Sequence, residues 1–424
     1  MGRRIATWLV VGTLSIALAP GLYAKKKKDS EEAAPPPPKQ DEIHVDTSKL
    51  VWPQPPDIGR IRWVQELKSE PKSAEELAQQ QKKKKKQGWM DKVAGVQVQE
   101  ESRKGSKRYH LMKPYGVVAD SKGRILVADS YVGSVFIFDL EQNKVSFIRN
   151  GIEGRFKTII GLAIDDADRL FVSDADLHHV SVFDANGKLE SSFGDDILGR
   201  PSGMAVDTEN RFLYVVDIGK EQVAVFDADS YKFLRYVGGP PKKLNDDSPG
   251  TFTKPSNVAV DADGNVIVCD TFNNRIQIFD PDGNFISMFG KNGDAPGTFT
   301  RPKGVAVDRD GHIWVADAMQ NRVQIFDKEG HLLAYFGSAG TEAGQFGLAT
   351  GMYIDNKNNR VLVADQMKGR VQVFRYTTDE EVAAIKSGKA PATPPAAASN
   401  QGTPAAAAAA PAATAPAPAS VEKK

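Results

Sequence analysis

One pattern of residues recurs six times between Lys113 and Tyr376, and it limits the fold more than any other feature of the chain. Its clearest copy reads Arg301-Pro-Lys-Gly-Val-Ala-Val-Asp308, then Ile313-Trp-Val-Ala-Asp317, then Arg322-Val-Gln-Ile-Phe-Asp327, then Leu332-Leu-Ala-Tyr-Phe-Gly337. The Asp that ends the second run, the reference Asp of each copy, falls at Asp129, Asp174, Asp217, Asp270, Asp317 and Asp365. That spacing, roughly 43 to 53 residues, is the length of one propeller blade of four strands. The runs are short, rich in β-branched residues and split by Ala-Asp-Gly, Pro-Asp-Gly, Arg-Asp-Gly, Lys-Glu-Gly and Ala-Asn-Gly. Gly and Asn tolerate positive φ, so these are hairpin turns. The first run is almost wholly apolar, as an innermost strand buried on both faces should be, and the third alternates, which predicts a half-buried strand. The fold class that follows is all-β, a six-bladed β-propeller over residues 113–376.

The sixth copy supplies Met352-Tyr-Ile-Asp355, Val361-Leu-Val-Ala-Asp365 and Val371-Gln-Val-Phe374, and the chain then turns polar without a fourth run. Far upstream, Arg60-Ile-Arg-Trp-Val-Gln-Glu-Leu67 alternates as the missing run should, behind the stiff Trp52-Pro-Gln-Pro-Pro56. Ile61 to Leu67 is expected to pair with Val371 to Phe374. That N-terminal strand would close the ring and hide two sheet edges that otherwise invite aggregation.

On these copies the chain resembles the NHL-repeat six-bladed β-propellers of the bacterial extracytoplasmic type. The resemblance covers Arg60 to Leu67 and Lys113 to Tyr376, and it is sharpest in copies four and five. The Arg five residues after the reference Asp is present as Arg275, Arg322 and Arg370, whereas the earlier copies have Ser134, His179 and Gln222 there. The resemblance implies that this Asp and Arg pair at the strand ends in a charge-assisted hydrogen bond.

The flanks read differently. Residues 1–24 have the form of a secretory signal peptide: Arg3-Arg4, an apolar stretch from Ile5 to Ala19, a Pro20-Gly21 break and a cut after Ala24. Export follows, to the periplasm or the extracellular space, with a membrane anchor as the alternative if the signal stays uncleaved. Residues 25–49, with Pro35 to Pro38, read as a disordered linker. Residues 50–112 carry the closing strand and a basic arm, in which the capping box Ser73-Ala-Glu-Glu76 opens a short helix leading into Lys82, Lys83, Lys84, Lys85 and Lys86. Those lysines are either a solvated helix end or a contact for anionic lipid or an acidic protein. Residues 377–424 form a Pro/Ala-rich tail, with a helical turn or two before Lys389 and disorder from Ala390 onward. The segment from Lys25 to Met112 carries about +6 and that from Lys113 to Tyr376 about −7. An exported chain with an acidic ring is not expected to hold nucleic acid, although some eukaryotic NHL propellers bind RNA. The one cysteine, Cys269, takes a place held by Ala in neighbouring copies and reads as a small core residue.

Propeller enzymes gather ligands from several blades at one mouth of the central channel, and the histidines do not meet that pattern. His44 and His110 precede the ring, His312 and His331 follow hairpin turns, and the adjacent His178 and His179 come from one blade, short of a zinc site. Asn257 interrupts a ring of equivalent glycines (Gly116, Gly161, Gly203, Gly304, Gly351), as a hydrogen-bonded substitute or as a lone ligand of the kind gluconolactonase-type propellers use. The turns Asp261-Ala-Asp-Gly264 and Asp308-Arg-Asp-Gly311 lack the spaced ligands of a calcium loop. No catalytic residue, metal or cofactor is therefore assigned. Two residues past the reference Asp stand Tyr131, Asp176, Gly219, Phe272, Met319 and Met367. Aromatic and Met side chains in tight loops beside Arg275, Arg322, Arg370 and His179 suit a protein or peptide contact. The expectation is a non-enzymatic, exported scaffold that binds protein or peptide through this loop face. A channel-centred metal-dependent lyase or lactone hydrolase, and an envelope tether through the arm or signal, are its alternatives.

Overall fold

The computed structural model describes residues 47–69, 109–151, 154–243 and 246–388. The signal segment, the helix expected from Ser73, Lys82 to Lys86 and the tail from Ala390 lie outside them. Six antiparallel sheets follow one another around a ring, and each has its first strand innermost. In the fifth, Pro302–Val307 pairs with Ile313–Asp317, then Arg322–Phe326, then Leu332–Phe336. Asp308 ends the innermost strand and accepts the backbone N–H groups of Asp310 and His312, which bends the chain into the hairpin.

Closure comes from the N-terminal side. Ile61–Leu67 pairs with Arg370–Tyr376, in the register Ile61 to Tyr376 and Leu67 to Val371. A further strand, Val51–Trp52, lies outside Ile61–Leu67 and makes this sheet five-stranded. It holds its place by packing Trp52 on Phe336 and Phe374, at ring centroid distances of 5.7 and 6.2 Å. Beyond the ring, Thr378 caps the helix Asp379–Lys386 in a capping box with Glu381. Arg60 pairs with Asp379, Arg375 pairs with Glu381, and Val382 is buried, so the helix rests on the closing blade. No helix among the described residues is long and apolar enough to cross a membrane.

The core lies between blades. Each apolar cluster joins two neighbours, as where Trp314, Ile325 and Phe336 of blade five meet Ile354, Val363, Phe374 and Ile61 of the closing blade. Along the axis the innermost strands approach so closely that only glycine fits. A Cβ on Gly161 would sit 2.0 Å from the Ser202 carbonyl oxygen, and one on Gly351 2.0 Å from that of Tyr115. Asn257 stands at the equivalent place ahead of Val258–Val260, a shortened innermost strand, and its side-chain oxygen accepts from the N–H of Val258.

The third strands depart from the half-buried expectation. Arg275–Phe279 is buried throughout, and Gln277, Gln324 and Gln372 are fully buried. Each of these glutamines donates to a carbonyl of the connection before its blade (Thr251, Thr298 or Gln345) and accepts an N–H of Gly250, Gly297 or Gly344. The backbone of the preceding connection supplies each with both a donor and an acceptor.

Candidate functional site

The loop face is where the innermost strands begin, where the chain turns after each reference Asp and where blades connect. The reference Asp side chains are fully buried and work as staples. Asp317 accepts the N–H groups of Thr300 and Arg301 ahead of the innermost strand, and those of Met319 and Gln320 in the loop after the second. Asp129 does the same for Met112, Lys113, Tyr131 and Val132. A carboxylate that takes several backbone donors fixes both segments, and the residue two past it is pushed outward.

Four such residues stand in solvent: Tyr131 is 68% exposed, Phe272 51%, Met319 58% and Met367 68%. Cations accompany them. Lys113, Arg200 and Arg301 directly precede the innermost strands of their blades, and Lys254, before Pro255, holds the same place in blade four. Arg200 pairs with Asp176 at 3.3 Å and Lys254 with Glu221 at 3.0 Å. Lys113 lies over Tyr131, 5.7 Å from its centroid, and Arg301 over Phe272, at 4.3 Å.

The other sequence-chosen residues sit inside the protein. Arg275 is buried and donates to Asp270 and to the carbonyls of Asp247 and Thr251. Arg370, also buried, donates to Asp365, Glu66 and the carbonyls of Thr341, Glu342 and Gln345. His179 is buried, with Nδ1 3.3 Å from Asp195 Oδ1. These three hold connections in place and offer no free surface. Arg322 is the exception to the expected Asp–Arg pairing. Gln320 and Gln324 already occupy the Thr298 carbonyl, the counterpart of the one Arg275 takes, so Arg322 swings out to the Asp294 carbonyl and lies over Tyr335.

At the axis the sequence reading missed a plug. Tyr115, from blade one, is buried at the axis, where it lines the channel. Burial pushes that phenol well above its ordinary range. Lys303 of blade five lies over the Tyr115 ring, 5.6 Å from its centroid. Burial, then the charge of Arg301, holds the Lys303 ammonium below the usual lysine range. The one available signal is positional: the residue before each axial glycine or Asn257 reads Tyr115, Ile160, Ser202, Ser256, Lys303 and Thr350.

Below the plug a cavity of about 350 Å³ runs down to Thr208 and Asn356. Its wall is made of residues such as Val117, Leu162, Met204, Val258, Val305 and Met352, with Asn257 as a polar intrusion, and it includes no His, Asp or Glu. Two clusters with metal-ligand chemistry occur among the described residues, Asp308, Asp310 and His312, and Asp327, Glu329 and His331. Both sit in hairpin turns of the opposite face. There Asp308 and Asp327 already accept turn N–H groups and pair with their own histidines at 3.0 and 2.9 Å. Cys269 is fully buried, and burial raises its thiol far above the range of a reactive cysteine.

With this geometry in place, comparison with known proteins agrees on the architecture. A family model described as 6-bladed beta-propeller (DUF5128) matches residues 250–323. The chain is a six-bladed β-propeller of NHL-like repeats. It is 29% identical over 109 residues to the probable peptidyl-alpha-hydroxyglycine alpha-amidating lyase pgal-1 of Caenorhabditis elegans, across 26% of this chain and 30% of that one. It is 57% identical over 44 residues to the protein brain tumor of Drosophila melanogaster, across 10% of this chain and 4% of the relative. The match thus spans less than a third of either relative's length. A solved protein of unknown function from Bacteroides thetaiotaomicron superposes with a TM-score of 0.52 at 16% identity, covering 63% of this chain and 70% of that one, a likeness of fold alone.

Proposed function

We propose that this propeller is a non-enzymatic binding scaffold that holds another protein or a peptide on its loop face, exported to the cell envelope by its N-terminal segment. The observation that carries the reading is the set Tyr131, Phe272, Met319 and Met367, four large apolar side chains held out in solvent by buried staples on one face. Exposed aromatic and Met groups ringed by cations match the composition of recognition surfaces, and their exposure has no structural return within the blade. The test is crosslinked capture from native envelopes, wild type against Phe272→Ala/Met319→Ala with an unchanged melting curve. A partner held by the first and lost by the second supports the reading; equal recovery by both overturns it.

The similarity to the amidating lyase favours one competing reading, a channel-centred metal-dependent lyase or lactone hydrolase. The cavity wall argues against it, since it offers a metal neither imidazole nor carboxylate. Metal analysis of the purified chain decides: stoichiometric zinc or calcium together with turnover of an amidated-peptide precursor or a lactone would replace the scaffold by an enzyme.

A further inference from the structure

We propose that the loop-face mouth of the channel, centred on Lys303 and Arg301, receives a carboxylate, so that the ligand of this face is an acidic peptide segment. The inference rests on the protein-binding reading above and supplies its chemistry. Lys303 stands at the axis over the ring of the buried Tyr115. No carboxylate pairs with Lys303 or Arg301 among the described residues, whereas Arg200 has Asp176, Lys254 has Glu221, Arg275 has Asp270 and Arg370 has Asp365; of the other cations on this face, Lys113 lies over Tyr131 and Arg322 donates to the Asp294 carbonyl. A half-buried ammonium beside a guanidinium is unfavourable until an anion arrives, and nothing inside the blade requires it. Arg301 lies on the Phe272 ring, so the paired cations adjoin the exposed apolar groups. An acidic side chain flanked by apolar ones fits that arrangement. Asp176 and Glu221, farther out on the same face, would oppose a continuous phosphate backbone, which favours a peptide over nucleic acid.

The test labels the full chain with trace acetic anhydride and reads each lysine by peptide mass spectrometry. The probes are N-acetyl-Leu-Glu-Phe-Glu-Leu-amide and its counterpart with Gln in place of Glu. This readout is specific to residue 303 and is not confounded by the lysines of the arm. The Glu peptide should lower Lys303 acetylation at least fivefold and the Gln peptide should leave it unchanged. Lys328, paired with Asp263 on the opposite face, should be unaffected by either. Arg301→Gln should raise the protecting concentration at least fivefold. Equal labelling with both peptides overturns the proposal, as does a Lys303 that resists acetylation in the free protein, because the mouth is then closed. Stronger protection by oligouridylate at equal concentration overturns it in favour of nucleic acid. Capture of a partner through Phe272 and Met319 while Lys303 stays unprotected would sink the acidic specificity and leave the docking surface standing. Lys303 protection without any captured partner would uphold the anion site and remove the scaffold reading.

Discussion

Arg322 and Arg370 occupy the same place in the repeat, yet their removal should have very different costs. Arg370 is buried and its guanidinium is shared between Asp365 at 3.1 Å, Glu66 at 2.9 Å and three carbonyls of the preceding connection. It therefore ties blade six both to its connection and to the closing strand. In Arg370→Met the Thr341 carbonyl loses its donor, those of Glu342 and Gln345 keep only the Gln345 N–H and the Gln372 amide, and the Asp365 carboxylate keeps only the N–H groups of Gly347 and Leu348. Breaking a buried, hydrogen-bonded pair costs about 3–5 kcal/mol. Arg322 is partly exposed and donates once, to the Asp294 carbonyl, while Asp317 is satisfied by four backbone donors. Arg322→Met should cost about 1 kcal/mol or less. Urea unfolding followed by tryptophan emission is a suitable assay, because Trp52, Trp63 and Trp314 lie in or beside the closing blade. Midpoint shifts at equal slope give the two free energies. A loss below about 1 kcal/mol for Arg370→Met, or equal losses for the two variants, would refute the assignment of one as clamp and the other as surface.

Removing the fully buried Ile61 side chain of the closing strand, in Ile61→Ala, should destabilise by about 2–5 kcal/mol in the same assay, and a loss under about 1 kcal/mol would mean the ring does not depend on that strand. Gly161→Ala puts a methyl 2.0 Å from the Ser202 carbonyl oxygen and should cost at least about 1–3 kcal/mol; an unchanged midpoint would show that the innermost strands have room to part. Lys303→Met should raise the midpoint at pH 7. Because the folded pKa lies below the ordinary lysine value of 10.5, the charged form opposes folding below the folded pKa, and that cost vanishes as pH climbs to the unfolded value, so the gain should be gone above about pH 10.5. A lower midpoint at pH 7 would contradict an unfavourable ammonium. His312, which Asp308 holds in its charged form, should titrate above 6.5 by NMR; it contributes stability fully below 6.5, lost as pH rises through the folded pKa, and a midpoint at or below 6.5 would show that the contact does not form in solution.

What was legible in the sequence is what periodicity encodes. The six copies could be aligned on their reference Asp, and the absent fourth run of the last copy made Ile61–Leu67 a countable requirement, which the register confirms. Period alone could not tell what a polar residue faces. Gln277, Gln324 and Gln372 alternate with apolar residues just as they would on a wet strand, yet each reads the backbone of a connection many residues earlier. Val51–Trp52 escaped notice because two residues carry no period and are held by the rings of Phe336 and Phe374. The outward placement of Tyr131, Phe272, Met319 and Met367 was readable from their tight loops. Tyr115 and Lys303 were not, since their meeting depends on blades one and five facing a common axis. Arg322 shows the same limit from the other side, its fate decided by Gln320, a neighbour the repeat pattern does not weigh.

The seam that joins Leu67 to Val371 also sets an order of events in time. Closing a chain loop of about 300 residues costs roughly 4 kcal/mol more entropy than closing a turn of about five, on logarithmic scaling. Hairpins within each sheet repay their ordering locally, whereas the seam is repaid only once the blades between its two strands have condensed and drawn its ends together. During synthesis the strand at Ile61 emerges early and must wait unpaired for the last sheet to appear. In the finished ring that same seam ties the two ends of the chain into one sheet, so the barrier that delays assembly should also slow escape from the native state.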